Sequence, residues 1–202
     1  MALMTGPISG FPSGGTSEVY TTPFPVKVGT RGRDTSGNEY VFCDYTATVY
    51  DGVVVILTDT FTAAPLLGTA NVPGAIGVVI ASTATSDNGG WVQIYGLNIR
   101  VQTNNASDTS TSGVAGTQGL RAQTSVTTPS GTVGFVSDAS TDGTHIYGMW
   151  IADTTKPYGV TDSSGPATNS SPTSGSTYHI GTEVACWLNY PYVTGQATEL
   201  VT

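Results

Sequence analysis

A chain of 202 residues with a net charge of −8 and only six Lys and Arg is poorly suited to nucleic acid or an anionic membrane, since both contacts draw on basic side chains. Charged residues make up 10% of the chain and Ser with Thr about a quarter, yet ten Tyr, five Phe and three Trp remain, an aromatic content that a disordered chain lacks. Helix formers are sparse and Gly, Pro, Asn and Asp interrupt nearly every segment. The expected fold is therefore all-β, a single β-sandwich or partly open β-barrel of about 8–10 short strands spanning residues 26–191.

Residues 1–25 are expected to form an extended arm, because Gly6, Pro7, Gly10, Pro12, Gly14, Gly15, Pro23 and Pro25 forbid a helix or central strand. Ile8, Phe11, Val19, Tyr20 and Phe24 are spaced along it as apolar anchors, the pattern of a segment that docks onto a neighbour one side chain at a time. Met1 to Thr16 has neither a basic start nor an apolar run, so no secretory signal is expected. No apolar run approaches the length of about eighteen residues needed to cross a membrane as a helix.

A hairpin follows, with Arg31-Gly32-Arg33 entering a turn at Asp34 to Asn38 and Glu39 to Cys43 returning; Gly37 and Asn38 supply the left-handed residues a short turn requires. Val53 to Leu57 is continuously apolar, the mark of a strand buried on both faces. Ala75 to Ser82 is another apolar strand, Ser86 to Gly90 reads as a turn, and Trp91 to Tyr95 and Leu97 to Thr103 continue a meander. Shorter strands are expected at 119–123 and 132–137, and longer ones at His145 to Asp153 and at Glu183 to Tyr190, the last ended by Pro191. Between them, 154–177 is a long Ser/Thr/Pro/Gly loop, and 192–202 is a second tail. Trp91, Trp150 and Trp187 each stand inside an apolar strand and are expected in the core.

Nothing in the sequence points to catalysis. His145 and His179 are the only histidines, neither lies beside a nucleophile motif, and no Gly-x-Ser-x-Gly elbow occurs, so no triad is expected. Zinc spacings are absent; Asp138 and Asp142 share a loop but lack the alternating pattern of a calcium site. No catalytic residue, metal or cofactor is expected. Cys43 and Cys186 lie far apart in apolar stretches and are expected to be buried free thiols in a protein made in the cytoplasm.

At Gly29-Thr30-Arg31-Gly32-Arg33-Asp34 and Gly37-Asn38-Glu39-Tyr40-Val41-Phe42 the chain resembles a recurring group of tailed-bacteriophage head proteins, the decoration or cement proteins. The likeness continues through Ala47, Asp51-Gly52 and Val53 to Ile56, then Ile76-Gly77-Val78 and Ala81, Gly90 to Gly96, and Trp187-Leu188-Asn189-Tyr190-Pro191-Tyr192. These patches cover about half of the chain, and their order is more telling than any one of them. The resemblance implies a structural virion protein made in the host cytoplasm, bound to the major capsid protein on the outer surface of the head and stabilising contacts between subunits. It implies self-association too, with a trimer at three-fold positions as the analogy, while the shortage of basic residues argues against a nucleic-acid or membrane partner. In this reading Ile8, Phe11, Val19, Tyr20 and Phe24 contact the capsid. A tail tube or fibre subunit is the alternative, and a carbohydrate-binding adsorption module using Tyr and Trp is the alternative of another class.

Overall fold

The computed structural model describes residues 18–66, 73–80, 83–84, 88–102, 121–124, 136–137, 145–153, 168–170, 177–179 and 183–194. Among them are strands and no helix: β1 (Val19–Thr21), β2 (Arg31–Arg33), β3 (Glu39–Tyr45), β4 (Val49–Tyr50), β5 (Val54–Leu57), β6 (Thr62–Pro65), β7 (Gly74–Val79), β8 (Thr83–Ala84), β9 (Asn88–Gln102), β10 (Arg121–Thr124), β11 (Val136–Ser137), β12 (His145–Asp153), β13 (Thr168–Ser170), β14 (Thr177–His179) and β15 (Glu183–Val193). The all-β class is as expected, but the strands are more numerous and two are long, β9 with 15 residues and β15 with 11.

Five strands close a ring. β3 pairs in parallel with β6, β6 with β5, β5 with β7, β7 with β9, and β9 returns to β3, the last four antiparallel. Alternation along each strand sends every second side chain inward, so Val41, Cys43, Tyr45, Val55, Leu57, Ala63, Val79, Val92 and Ile94 fill the ring. The residues between them face outward into two further apolar layers, which is why Val53 to Leu57 is apolar throughout. In the first layer, Val54, Ile76 and Val78 meet Ile146 and Met149 of β12 and Cys186, Leu188 and Val193 of β15. In the second, Tyr40, Phe42 and Trp91 are covered by Tyr20, Phe24, Val26 and Val28.

β9 belongs to both the ring and the outer sheet. Its first half pairs with β3 and β1, and its second half, from Tyr95 on, pairs with β15. The switch occurs at Gly96, where φ is +100°. Asn98 Nδ2 donates to Gln93 Oε1 at 2.9 Å across this bend, and Gln93 Nε2 donates to the Tyr95 carbonyl at 3.2 Å, so both buried amides are satisfied by the bend they span. The expected turn at Asn88-Gly89-Gly90 is instead the opening of β9, paired with β1 and β3. The two glycines are there for space: a Cβ on Gly89 would lie 2.9 Å from the Phe24 and Phe42 rings, and one on Gly90 2.8 Å from Tyr45 Oη. Large rings and missing side chains are exchanged across the sheet.

Pro191 does not end the last strand. It is buried inside β15, where the pairing with β12 jumps from Met149↔Leu188 to Tyr147↔Tyr192. Asn189, Tyr190 and Pro191 thus stand opposite Gly148 alone, a bulge that removes the need for a proline N–H.

Cys43 lies in the ring and Cys186 in the outer layer, both buried and free. Burial pushes both thiols up to about 12, helped at Cys43 by the charge of Asp44.

Candidate functional site

The Asp34 to Asn38 turn is a structural clamp. Asp34 Oδ1 accepts from the Ser36 and Asn38 backbone N–H groups at 2.8 and 2.9 Å, and Oδ2 accepts from Asn38 Nδ2 and Tyr40 Oη, both at 2.8 Å. Asn38 Oδ1 in turn accepts from Leu97 N at 3.2 Å, fastening the hairpin tip to the bend of β9. Burial raises the Asp34 carboxyl, but the bonds from Tyr40, Asn38 and Ser36 outweigh it and hold it below the usual 3.8. A lowered carboxylate contributes stability above its unfolded range, and that contribution is lost as pH falls through the folded value. Asp34→Ala is therefore expected to cost about 1–3 kcal/mol at neutral pH. The parent should also weaken below about pH 4 by a step that the variant lacks; urea midpoints at neutral and acidic pH check both.

The bulge in β15 presents two braced tyrosines. Tyr190 adopts a left-handed φ of +47°, and Gly148 opposite has φ +75°. A Cβ on Gly148 would meet the Asn189 carbonyl and lie 3.2 Å from Pro191 Cα, so only glycine admits the bulge. The Tyr190 hydroxyl donates to Glu39 Oε2 at 2.7 Å, Glu39 is ion-paired to Arg33, and the Tyr190 ring lies 5.3 Å from that of Tyr95. Tyr192 stacks on Tyr147 at 5.2 Å and 16°. Both tyrosines nevertheless remain nearly half exposed.

Beside them runs a partly exposed apolar row. Trp150 of β12 pairs with Trp187 of β15, which pairs with Leu97 of β9. They are 37%, 53% and 36% exposed. Trp91 is in the core as expected, whereas Trp150 and Trp187 are not. Each alternates with a buried neighbour, Met149 and Leu188, and it is these neighbours that face the first apolar layer. A row of exposed apolar side chains of this kind is a candidate interaction surface.

A groove of about 800 Å³ opens at the ring's mouth between the turn joining β5 to β6 and the β15 bulge. Val41, Ile56, Ile76 and Ile94 are among its apolar lining residues; Arg31, Asp59, Phe61, Tyr190 and Tyr192 line it too. Phe61 is held at φ +59° in a turn where Phe61 N donates to the Thr58 carbonyl at 3.0 Å and the Thr58 and Thr62 hydroxyls lie 2.6 Å apart. Arg31 and Asp59, both exposed, form no ion pair with each other.

Comparison with family models, with curated proteins and with solved structures gives no match to this chain.

Of the five expected partner contacts, Ile8 and Phe11 lie outside the described residues. Val19 and Tyr20 are on β1, which joins the sheet ahead of the boundary expected at residue 26. The structure turns Val19 onto the ring cluster and Tyr20 and Phe24 onto Phe42, at ring distances of 6.0 and 5.6 Å. Their half-buried faces cover Phe42 and Trp91 of their own domain, because those rings would otherwise be wet. His145 opens β12 and His179 closes β14. Asp138, Asp142 and most of the 154–177 loop lie outside the described residues; β13, inside that loop, pairs with β14, which begins at the loop's last residue, Thr177. Among the described residues no three His, Cys, Asp or Glu gather in one place.

Proposed function

We propose that this chain is a structural virion protein that docks on the outer surface of a tailed-phage head through the Leu97–Trp187–Trp150 row and stabilises contacts between capsid subunits. The observation that carries the reading is that row, because exposed Trp at the centre of a contiguous patch is what protein interfaces use as anchors. The ordered resemblance supports it. Its patches fall on β2, β3, β5, β7, β9 and β15, which include four of the five ring strands and two of the three strands that carry the row. The acidic, hydroxyl-rich composition suits a densely covered particle surface.

Co-sedimentation with heads stripped of this protein tests the reading. The parent chain should bind, and a Trp150→Ala/Trp187→Ala double variant should bind about 30-fold more weakly or worse, with its circular dichroism unchanged because both side chains are exposed. Equal decoration by the variant sinks the docking surface, and binding to tails in place of heads selects the tail-component alternative.

A further inference from the structure

Among the described residues, the two non-glycine residues with left-handed backbone, Phe61 and Tyr190, both line the groove at the ring's mouth. Such conformations cost about 1–3 kcal/mol each and gather where a surface is shaped for a ligand. At about 800 Å³ the groove is also of the size that encloses a small molecule, and the mouth of a β-barrel is a usual place for one.

The chemistry of the lining selects among ligands. Arg31 and Asp59 line the same groove without neutralising each other, so a guanidinium fork offers paired donors and a carboxylate offers paired acceptors. Tyr190 and Tyr192 add exposed ring surface, held in place by Glu39 and by Tyr147. A free anion would be drawn to Arg31 and repelled by Asp59, and a cation the reverse. A purely apolar ligand would meet the aliphatic lining and the tyrosine rings but give neither charged side chain a partner. A sugar ring uses all three features at once, with a C–H face for a tyrosine and hydroxyls that donate to the carboxylate and accept from the guanidinium.

We propose that this groove binds a neutral oligosaccharide, with Tyr190 and Tyr192 as the stacking platform and Arg31 and Asp59 as the hydroxyl ligands. The site shares no residue with the shell-docking row, so one assignment stands or falls without the other. A virion protein with such a site would hold the particle to glycan on a cell surface.

Isothermal titration of the full chain with maltohexaose, cellohexaose, chitohexaose and a neutral galactan oligomer tests it. At least one should bind with Kd at or below about 1 mM. Tyr192→Ala, Arg31→Ala and Asp59→Ala should each weaken that binding about tenfold or more, while Trp187→Ala leaves it unchanged. The three variants alter exposed side chains, and their melting curves show whether the fold is intact. No binding to any of the four up to about 10 mM, binding indifferent to Arg31→Ala and Asp59→Ala, or a preference for a uronate-containing oligomer over its neutral counterpart overturns the proposal.

Discussion

Gly96→Ala is expected to lower the melting temperature by roughly 6–12 °C, the equivalent of about 3 kcal/mol in a chain of this size. Two costs combine. At φ +100° an alanine is strained by about 1–3 kcal/mol. The new Cβ would also fall on Asn38 Oδ1, so Asn38 must swing away and Leu97 N loses its acceptor, worth about 1 kcal/mol. Gly37→Ala separates the two, because Gly37 has φ +87° and a Cβ there would meet nothing within 4 Å. It should lose only the backbone part. Thermal unfolding followed by circular dichroism reads both, and equal losses in the two variants would show that the hairpin clamp on β9 adds nothing.

Phe42→Ala should cost about 3–5 kcal/mol, as for other large buried rings. Phe42 is the centre of the aromatic cluster that fixes the start of the domain, with Tyr20, Phe24 and Trp91 at 6.0, 5.6 and 5.3 Å. Its loss should therefore have a local sign as well as a global one. Trypsin under native conditions should cut after Lys27 faster than in Met149→Ala, a variant that empties the opposite layer at a similar cost of about 2–5 kcal/mol. Equal cleavage in the two variants would mean that residues 20–28 are held by something other than that ring.

Part of this architecture was open to reading from the residues alone. Asp34, Gly37 and Asn38 announce the hairpin because turn chemistry is local, and Val53 to Leu57 reads as doubly buried because both of its faces do meet apolar layers. Gly89, Gly90 and Pro191 misled for the same physical reason. A glycine that admits a ring from another strand, or a proline that sits in a bulge, has the same letter as one that makes a turn. Trp150 and Trp187 show a different limit. Strict alternation says that one face of β12 and β15 is buried, but only the three-dimensional arrangement says that among the described residues no layer covers the other. The groove was beyond reach, since Arg31 on β2, Asp59 in the turn after β5 and Tyr190 on β15 are brought together by long-range strand pairing and not by spacing.

One uninterrupted strand, β9, supplies a stave to the ring and, beyond Gly96, a rib to the outer sheet. Neither layer can therefore shed it without tearing the other, and there is no seam along which the described core divides into halves. A load placed on the Trp150–Trp187 face is passed by β15 straight into the ring through that shared strand, so the molecule bears strain as one piece.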